Sequence, residues 1–115
     1  MIALPIGFLP LLFLLLFAHA LADYPLQGPF LSEAKNRNTA TGKLFWPHAL
    51  GAHAMIHGGF VLLLTGSLLM ACAEVAIHAA TDWFKCEGGI SLHTDQAVHI
   101  LCKILWAAIA CRGLT

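Results

Sequence analysis

The central part of the chain, residues 45–85, determines the fold and reads FWPHALGAHAMIHGGFVLLLTGSLLMACAEVAIHAATDWFK. It contains two apolar segments, which are joined by a very short connection at Thr65-Gly66-Ser67. Trp46 suits the headgroup level of a bilayer, and Pro47 suits the first turn of a helix. The stretch therefore predicts two antiparallel membrane helices in a hairpin, at about 47–65 and 67–86.

The composition of the whole chain agrees with a membrane protein. Of its 115 residues, 59% are hydrophobic and only 10% are charged. Soluble domains carry about a quarter charged residues, so this chain has too little charge to cover a water-exposed surface. Its net charge is zero, which leaves no broad basic surface for nucleic acid. We expect the lipid bilayer as a partner and no nucleic acid.

Two further apolar segments lie outside the hairpin. The first, residues 2–22, is long enough to cross a hydrocarbon core of ~30 Å. The second begins after Thr94 or Asp95, either of which can cap a last helix. The first segment could also be a signal peptide, because Ala20-Leu21-Ala22 has the form of a cleavage site. No Lys or Arg precedes it, so we favour a retained helix.

These segments predict one all-α domain over residues 1–115, an integral membrane bundle of about four transmembrane helices. The helices are expected at about 3–22, 47–65, 67–86 and 94–112, with a polar loop at 23–44 that holds at most one amphipathic turn near 30–35. The loop carries Lys35, Arg37 and Lys43 against Glu33 alone, so the positive-inside rule predicts that the polar loops are cytoplasmic. Small residues such as Gly58, Gly59 and Ala71 would permit close helix contacts or a homo-oligomer. Cys72, Cys102 and Cys111 lie in apolar runs, and with Cys86 they are interpreted as reduced residues.

Each predicted helix carries a pair of histidine or aspartate residues four positions apart. The pairs are His19–Asp23, His53–His57, His78–Asp82 and Asp95–His99. Residues four apart lie on one helix face. The pairs end the first and third helices and begin the second and fourth, and the helices alternate in direction. All four pairs are therefore expected at one membrane face.

Imidazole and carboxylate are the usual ligands of zinc and of dinuclear iron or manganese centres in helix bundles. We predict that the eight paired residues bind one or two divalent cations, zinc first, with manganese or iron as alternatives. Asp23, Asp82 and Asp95 are the catalytic candidates, one of them spared as a general base. Lys85, Gln27 and Gln96 are the candidate contacts to a substrate phosphate. Glu74, one turn from His78, is expected either to pair with Lys103 or to orient His78.

The stretch 19–27, HALADYPLQ, resembles the opening motif of a small membrane-protein family of bacteria and their phages, the domain of unknown function numbered 3307. The family pattern continues with a Lys, a His-x-x-x-His helix, a His-x-x-x-Asp-x-x-Lys helix end and an Asp-Gln-x-x-His helix start. The matching positions here are His19, Asp23, Gln27, Lys35, His53, His57, His78, Asp82, Lys85, Asp95, Gln96 and His99. Thr81 departs from the pattern, which has an aliphatic residue there. The resemblance implies the bacterial inner membrane as the location.

The use of His-x-x-x-Asp pairs on helices is similar to that in membrane-bound metal-dependent hydrolases, and more remotely to that in zinc phospholipase C and the zinc nucleases. We therefore expect a metal-dependent hydrolase that acts on a phosphoester or a lipid headgroup at the cytoplasmic face. The alternative is a non-enzymatic, phage-encoded membrane protein whose cluster serves helix packing or partner binding, for example in infection exclusion. Haem binding and metal or proton transport rank lower, because carboxylates accompany the histidines and the pairs lie at one face alone.

Overall fold

The computed structural model describes residues 6–112, and five α-helices with no β-strand make up this part of the chain. They are α1 (Phe8–Asp23), α2 (Gly28–Ala34), α3 (Ala40–Thr65), α4 (Leu68–Cys86) and α5 (Leu92–Arg112). The helices α3 and α4 form an antiparallel hairpin with the most extensive contacts in the molecule, and α1 packs on both α3 and α5. The predicted all-α fold is confirmed.

The region 23–44, which the sequence predicted as a polar loop, contains helical structure. It holds the whole of α2, and α3 begins at Ala40 instead of residue 47. The Thr39 hydroxyl caps α3 by accepting a hydrogen bond from the Gly42 amide at 2.8 Å. The prediction placed the helix start at the apolar boundary, whereas the cap lies among polar residues. His53 and His57 therefore lie in the middle of α3 and not at its beginning.

The other helix ends differ less from their predicted positions. Helix α1 begins at Phe8 and ends at Asp23, and α5 begins at Leu92, two residues earlier than predicted. The predicted start of the first helix at residue 3 lies outside the described residues. Gly66 ends α3 with a φ of 73°, and the Ser67 side chain caps α4 by accepting from the Met70 amide at 3.1 Å. These two caps explain the tight hairpin turn.

Two helices, α3 and α5, are long and apolar enough to cross a membrane, which is consistent with a membrane protein. A third span results if α1 and α2, which meet at an angle of 82°, count as one broken segment. Helix α4 does not qualify, since it contains Glu74, Asp82 and Lys85. The structure thus shows two or three candidate spans, fewer than the four predicted.

The polar residues of α4 face inward and its apolar residues face outward. Glu74, His78 and Asp82 are buried. The exposed positions are all apolar: Leu68, Leu69, Cys72, Ala76, Ala80 and Phe84, which apart from Leu69 recur every four residues. Helix α5 repeats this arrangement with buried Asp95, His99 and Lys103. A water-soluble helix has the opposite distribution, so the surfaces of both helices suit lipid.

The interior has an apolar end and a polar end. The apolar end lies toward the α3–α4 turn and consists of Leu11, Leu15, Val61, Met70, Ala71, Cys102, Trp106 and Ala107. Beside the apolar end, Gly58 allows close contact between α3 and α4. A Cβ at this position would lie 2.3 Å from Val75 Cγ2 and 3.0 Å from the Ala71 carbonyl oxygen. All four cysteines are free thiols, of which Cys102 is buried and Cys72 exposed. The polar end contains the histidines and aspartates.

Candidate metal centre

Four helices bring the predicted His and Asp pairs together at the polar end of the interior. The contributing residues are His19 and Asp23 of α1, His53 and His57 of α3, His78 and Asp82 of α4, and Asp95 and His99 of α5. Seven of these eight residues are buried, and Asp23 is partly exposed. A His/Asp cluster is therefore present, although the eight residues do not form one equivalent ring.

Asp23 lies at the centre of the cluster. Its Oδ1 is 2.8 Å from Nε2 of His57 and 3.3 Å from Nε2 of His53. Its Oδ2 is 3.3 Å from Nε2 of His19 and accepts a hydrogen bond of 3.1 Å from the Gln96 side chain. One carboxylate thus links α1, α3 and α5. Since the His57 and His78 rings stack with centroids 3.7 Å apart, α4 is tied to the same point.

Asp23, His53, His57 and His78 form a group whose ligand atoms all lie within 4.8 Å of one another. Three imidazoles and one carboxylate are a donor set typical of zinc. His53 is completely buried, and neither of its ring nitrogens makes a hydrogen bond of normal geometry within residues 6–112, although Nε2 lies 3.3 Å from Asp23 Oδ1. A buried polar atom without a partner costs about 1–3 kcal/mol. A divalent cation among these four residues would supply the missing interaction, so they fit a metal.

A second group, formed by Glu74, His78 and His99, also has ligand atoms within 4.8 Å of one another. Here the Lys103 ammonium is in direct contact with Glu74 Oε1, and the Trp106 indole donates to Oε2 at 2.8 Å. A cation at this place would be repelled by Lys103. The pairing of Glu74 with Lys103 is one of the two roles expected for it. The other is not met, since His78 Nδ1 lies 3.7 Å from Glu74 Oε1, too far for a hydrogen bond.

Asp82 and Asp95 are paired with cations and histidine instead of facing the four-residue group. Asp82 Oδ2 is 2.7 Å from the Lys35 ammonium, and Oδ1 is 3.1 Å from that of Lys85. Asp95 Oδ1 lies 3.2 Å from Nε2 of His99, and Oδ2 is 3.9 Å from Lys85 Nζ. The nearest imidazole to Asp82 is that of His53, at 3.6 Å. Both carboxylates border the four-residue group.

A partly open cavity of about 140 Å³ connects the cluster with the surface. Its lining residues are Asp23, Tyr24, Gln27, Lys35, His78, Asp82, Lys85, Leu92, Asp95 and Gln96. All three predicted substrate contacts, Gln27, Lys85 and Gln96, belong to this lining. Three carboxylates and two lysines line the cavity, so it carries one net negative charge when these groups are ionised.

Two residues of the site were missed as functional candidates. Lys35 is only 4% exposed and contacts Gln27 as well as Asp82, but its polar neighbours in the sequence indicated a solvated loop. Only its place in the resemblance pointed to it. Trp106 follows Lys103 by three positions, which puts both on one face of α5. By contrast, His48 and His93 are exposed and lie outside the cluster.

An exposed contact ties the two polar connections together above the site. The Arg37 guanidinium donates to both carboxylate oxygens of Glu87, at 2.9 and 2.5 Å, and lies 5.4 Å from the centroid of the Trp83 ring. Asn38 donates to the same carboxylate at 2.7 Å. The hydrogen bonds from Arg37 hold the pKa of Glu87 below its usual range. This contact joins the α2–α3 connection to the end of α4.

The sequence matches a protein family described as "Protein of unknown function (DUF3307)" over residues 11–113. The chain belongs to this family. The resemblance seen in the sequence motifs is thereby confirmed, and the DUF3307 region includes every residue of the cluster. The comparisons with curated proteins and with solved structures found no match.

Proposed function

We propose that this DUF3307 protein is a membrane-embedded, metal-dependent hydrolase that acts on a phosphoester or lipid headgroup. One observation carries the proposal above all. The buried imidazole of His53 makes no hydrogen bond of normal geometry within residues 6–112 and lies in a group of four metal-type ligands. This group lies beside a cavity that contains two lysines. The metal would be bound by Asp23, His53, His57 and His78, with zinc the first choice and manganese or iron the alternatives.

The proposal includes four membrane crossings, by α1, α3, α4 and α5. The inverted distribution of polar residues in α4 and α5 supports this topology. The charges that make α4 unlike a membrane span are paired in the interior, Glu74 with Lys103 and Asp82 with Lys35, and pairing is what makes such groups tolerable in a bilayer. The cavity would then open toward the side that carries Arg37 and Lys43. By the positive-inside rule this is the cytoplasmic face, in a bacterial inner membrane.

Charge explains why the metal would control substrate binding. Without a metal, the three carboxylates and two lysines of the cavity leave one negative charge, which repels a phosphate. One divalent cation reverses the sign of the site. Anion binding is therefore expected only in the metal-loaded protein.

The residues around the cavity can divide the work of hydrolysis. A divalent cation held by Asp23, His53, His57 and His78 would lower the pKa of a bound water and polarise a phosphoryl oxygen. Lys35, Lys85 and Gln27 are placed to hold the remaining phosphate oxygens, and Asp82 fixes both lysines. Asp95, which lies at the cavity and contacts His99, would accept a proton as the water oxygen bonds to phosphorus. The bond from phosphorus to the ester oxygen then breaks, and that oxygen takes up the proton.

A direct test compares metal content and phosphoester hydrolysis in the detergent-purified protein. We expect chelation to abolish hydrolysis of p-nitrophenyl phosphate or its diester, and metal to restore it. Asp95→Asn should retain the metal and lose about 10²–10⁴-fold in kcat, while His57→Ala should lose both. His93→Ala, at an exposed position outside the cluster, is the matched control. Hydrolysis that survives chelation, or that is equal in His57→Ala, would overturn the proposal.

One observation favours the alternative, a non-enzymatic protein whose cluster serves helix packing or partner binding. Glu74, Lys103 and Trp106 satisfy one another without any metal. The deep part of the cluster therefore already acts as a structural contact between α4 and α5. A purified protein that holds no metal after growth with metals supplied would make this the better account.

A further inference from the structure

A second concavity lies next to the polar cavity, and the two share one residue. The second one is an apolar groove of about 300 Å³, lined by Phe17, Ala20, Leu21, Tyr24 and Pro25. Tyr24 also lines the polar cavity. The groove is open to the outside, since the side chains of Phe17 and Tyr24 are 58% and 71% exposed. It thus lies beside the site of the proposed chemistry, at the outer surface of α1.

The groove arises where α1 ends and the chain turns by 82° toward α2. Pro25 has no amide hydrogen and cannot continue the helix. The turn is closed by backbone hydrogen bonds from Leu26 to the Leu21 carbonyl at 3.1 Å and from Gly28 to the Tyr24 carbonyl at 3.3 Å. These bonds give the elbow a concave outer side.

We propose that this groove binds the acyl chain of a lipid phosphoester whose phosphate occupies the polar cavity, an inference that rests on the proposed hydrolase function. Continuity through Tyr24 places the chain beside the phosphate. Lys35 and Lys85 supply the complementary charge for the phosphate once the metal is bound. Tyr24 suits the boundary between the two parts, since a tyrosine ring has an apolar body and a polar tip. The substrate could enter sideways from the bilayer without passing through water.

The test compares a lipid substrate with a soluble one. The metal-loaded full-length protein is assayed with dipalmitoyl phosphatidic acid in nanodiscs and with p-nitrophenyl phosphate. Ala20→Trp fills the groove, and we expect it to lower kcat/KM for phosphatidic acid about tenfold more than for the soluble ester, as the loss of burial for two methylenes would. Phe13→Trp, at an exposed position of α1 outside the groove, should change neither value. Metal content is measured for each variant and should match the wild type.

The outcomes separate the groove from the hydrolase. Equal effects of Ala20→Trp on both substrates, or none on either, would overturn the groove while leaving the hydrolase intact. If the wild type hydrolyses neither substrate, the proposed function fails, and the groove is judged by binding alone. In native mass spectra the metal-loaded wild type should then retain phosphatidic acid, and Ala20→Trp should retain less of it. Equal retention by both proteins would contradict the groove.

Discussion

The two ends of the interior differ in what holds them together. The apolar end is built from Leu11, Leu15, Val61 and their neighbours, which pack by van der Waals contacts, and only the indole of Trp106 at its edge reaches a polar partner, Glu74. The polar end contains the eight paired residues together with Lys35, Glu74 and Lys103. In a bilayer, an apolar side chain has about the same free energy in lipid as in the protein core, so the hydrophobic effect does not drive helix association. A charged or unpaired polar group there is costly.

We infer from this difference that the polar end determines which helices meet and in what register. Asp23 contacts residues from two other helices, and Glu74 of α4 contacts Lys103 and Trp106 of α5. A sliding or rotated helix would break these contacts. The apolar end would tolerate such a shift at a smaller cost. Variants in the two ends should therefore differ in both stability and metal binding.

The largest effect on stability is expected from Lys103→Met. The change leaves Glu74 buried without its cation, and breaking a buried ion pair by removing one partner costs about 3–5 kcal/mol. The free energy of unfolding can be measured by SDS titration of the protein in mixed micelles. The double variant Glu74→Gln, Lys103→Met removes both charges and should recover much of the loss. Equal destabilisation in the single and double variants would show that the uncompensated charge of Glu74 is not the cause of the loss.

A smaller effect is expected at the apolar end from Leu15→Ala. The cavity left behind should cost roughly 2–3 kcal/mol, the lower part of the range for buried leucines, because lipid is as apolar as the core. Metal content should not change. Leu9→Ala, at an exposed position of the same helix, is the control and should have little effect. Loss of metal in Leu15→Ala would mean that the two ends are not independent.

Gly58→Ala tests the contact between α3 and α4. The added methyl group would push Val75 and the Ala71 carbonyl away, at a cost of about 1–3 kcal/mol. The methyl group would push α3 and α4 apart. Since His57 lies on α3 and His78 on α4, metal affinity should fall as well. Gly59→Ala is the matched control, because a Cβ there has no atom within 4 Å among those described. Identical melting temperatures and metal affinities for both variants would refute the close contact.

The smallest effect is expected from Glu87→Gln, which breaks the exposed contact with Arg37. Exposed ion pairs contribute little and are screened by salt, so a slight decrease in Tm should vanish at high salt. Because the pKa of Glu87 is lowered in the folded protein, its contribution is present above the unfolded value of about 4.3 and is lost as pH falls below it. Wild type and variant should therefore converge in Tm at acidic pH. The control Glu33→Gln should have little effect on Tm, and a difference between wild type and Glu87→Gln that persists at low pH would exclude this role.

The sequence was informative where local geometry determines the outcome. The spacing of four between His53 and His57, or between His78 and Asp82, places both members on one helix face whatever the rest of the molecule does. The short turn at Gly66 then brings α3 and α4 together. Together with the alternating directions of the helices, this is enough to predict a His/Asp cluster at one end of a helical bundle.

The remainder depended on features that hydropathy does not report. The start of α3 at Ala40 is set by the Thr39 cap, whereas the apolar boundary near Pro47 marks only where lipid would begin. Lys35 becomes buried because α2 packs against α3, a tertiary contact without a local signal. For the same reason the pairing of Asp82 with Lys35 could not be foreseen, whereas Lys85, three positions after Asp82, lies on the same helix face.

The central claim, a metal bound by Asp23, His53, His57 and His78, is tested most directly by equilibrium titration with zinc. The protein is purified in detergent and stripped of metal, and the wild type is compared with His53→Ala and His48→Ala. The two histidines lie on the same helix, but His53 is buried in the cluster and His48 is exposed. We expect about one tightly bound zinc per chain in the wild type and in His48→Ala, and none in His53→Ala. Zinc binding that is absent from the wild type, or unchanged in His53→Ala, would contradict it.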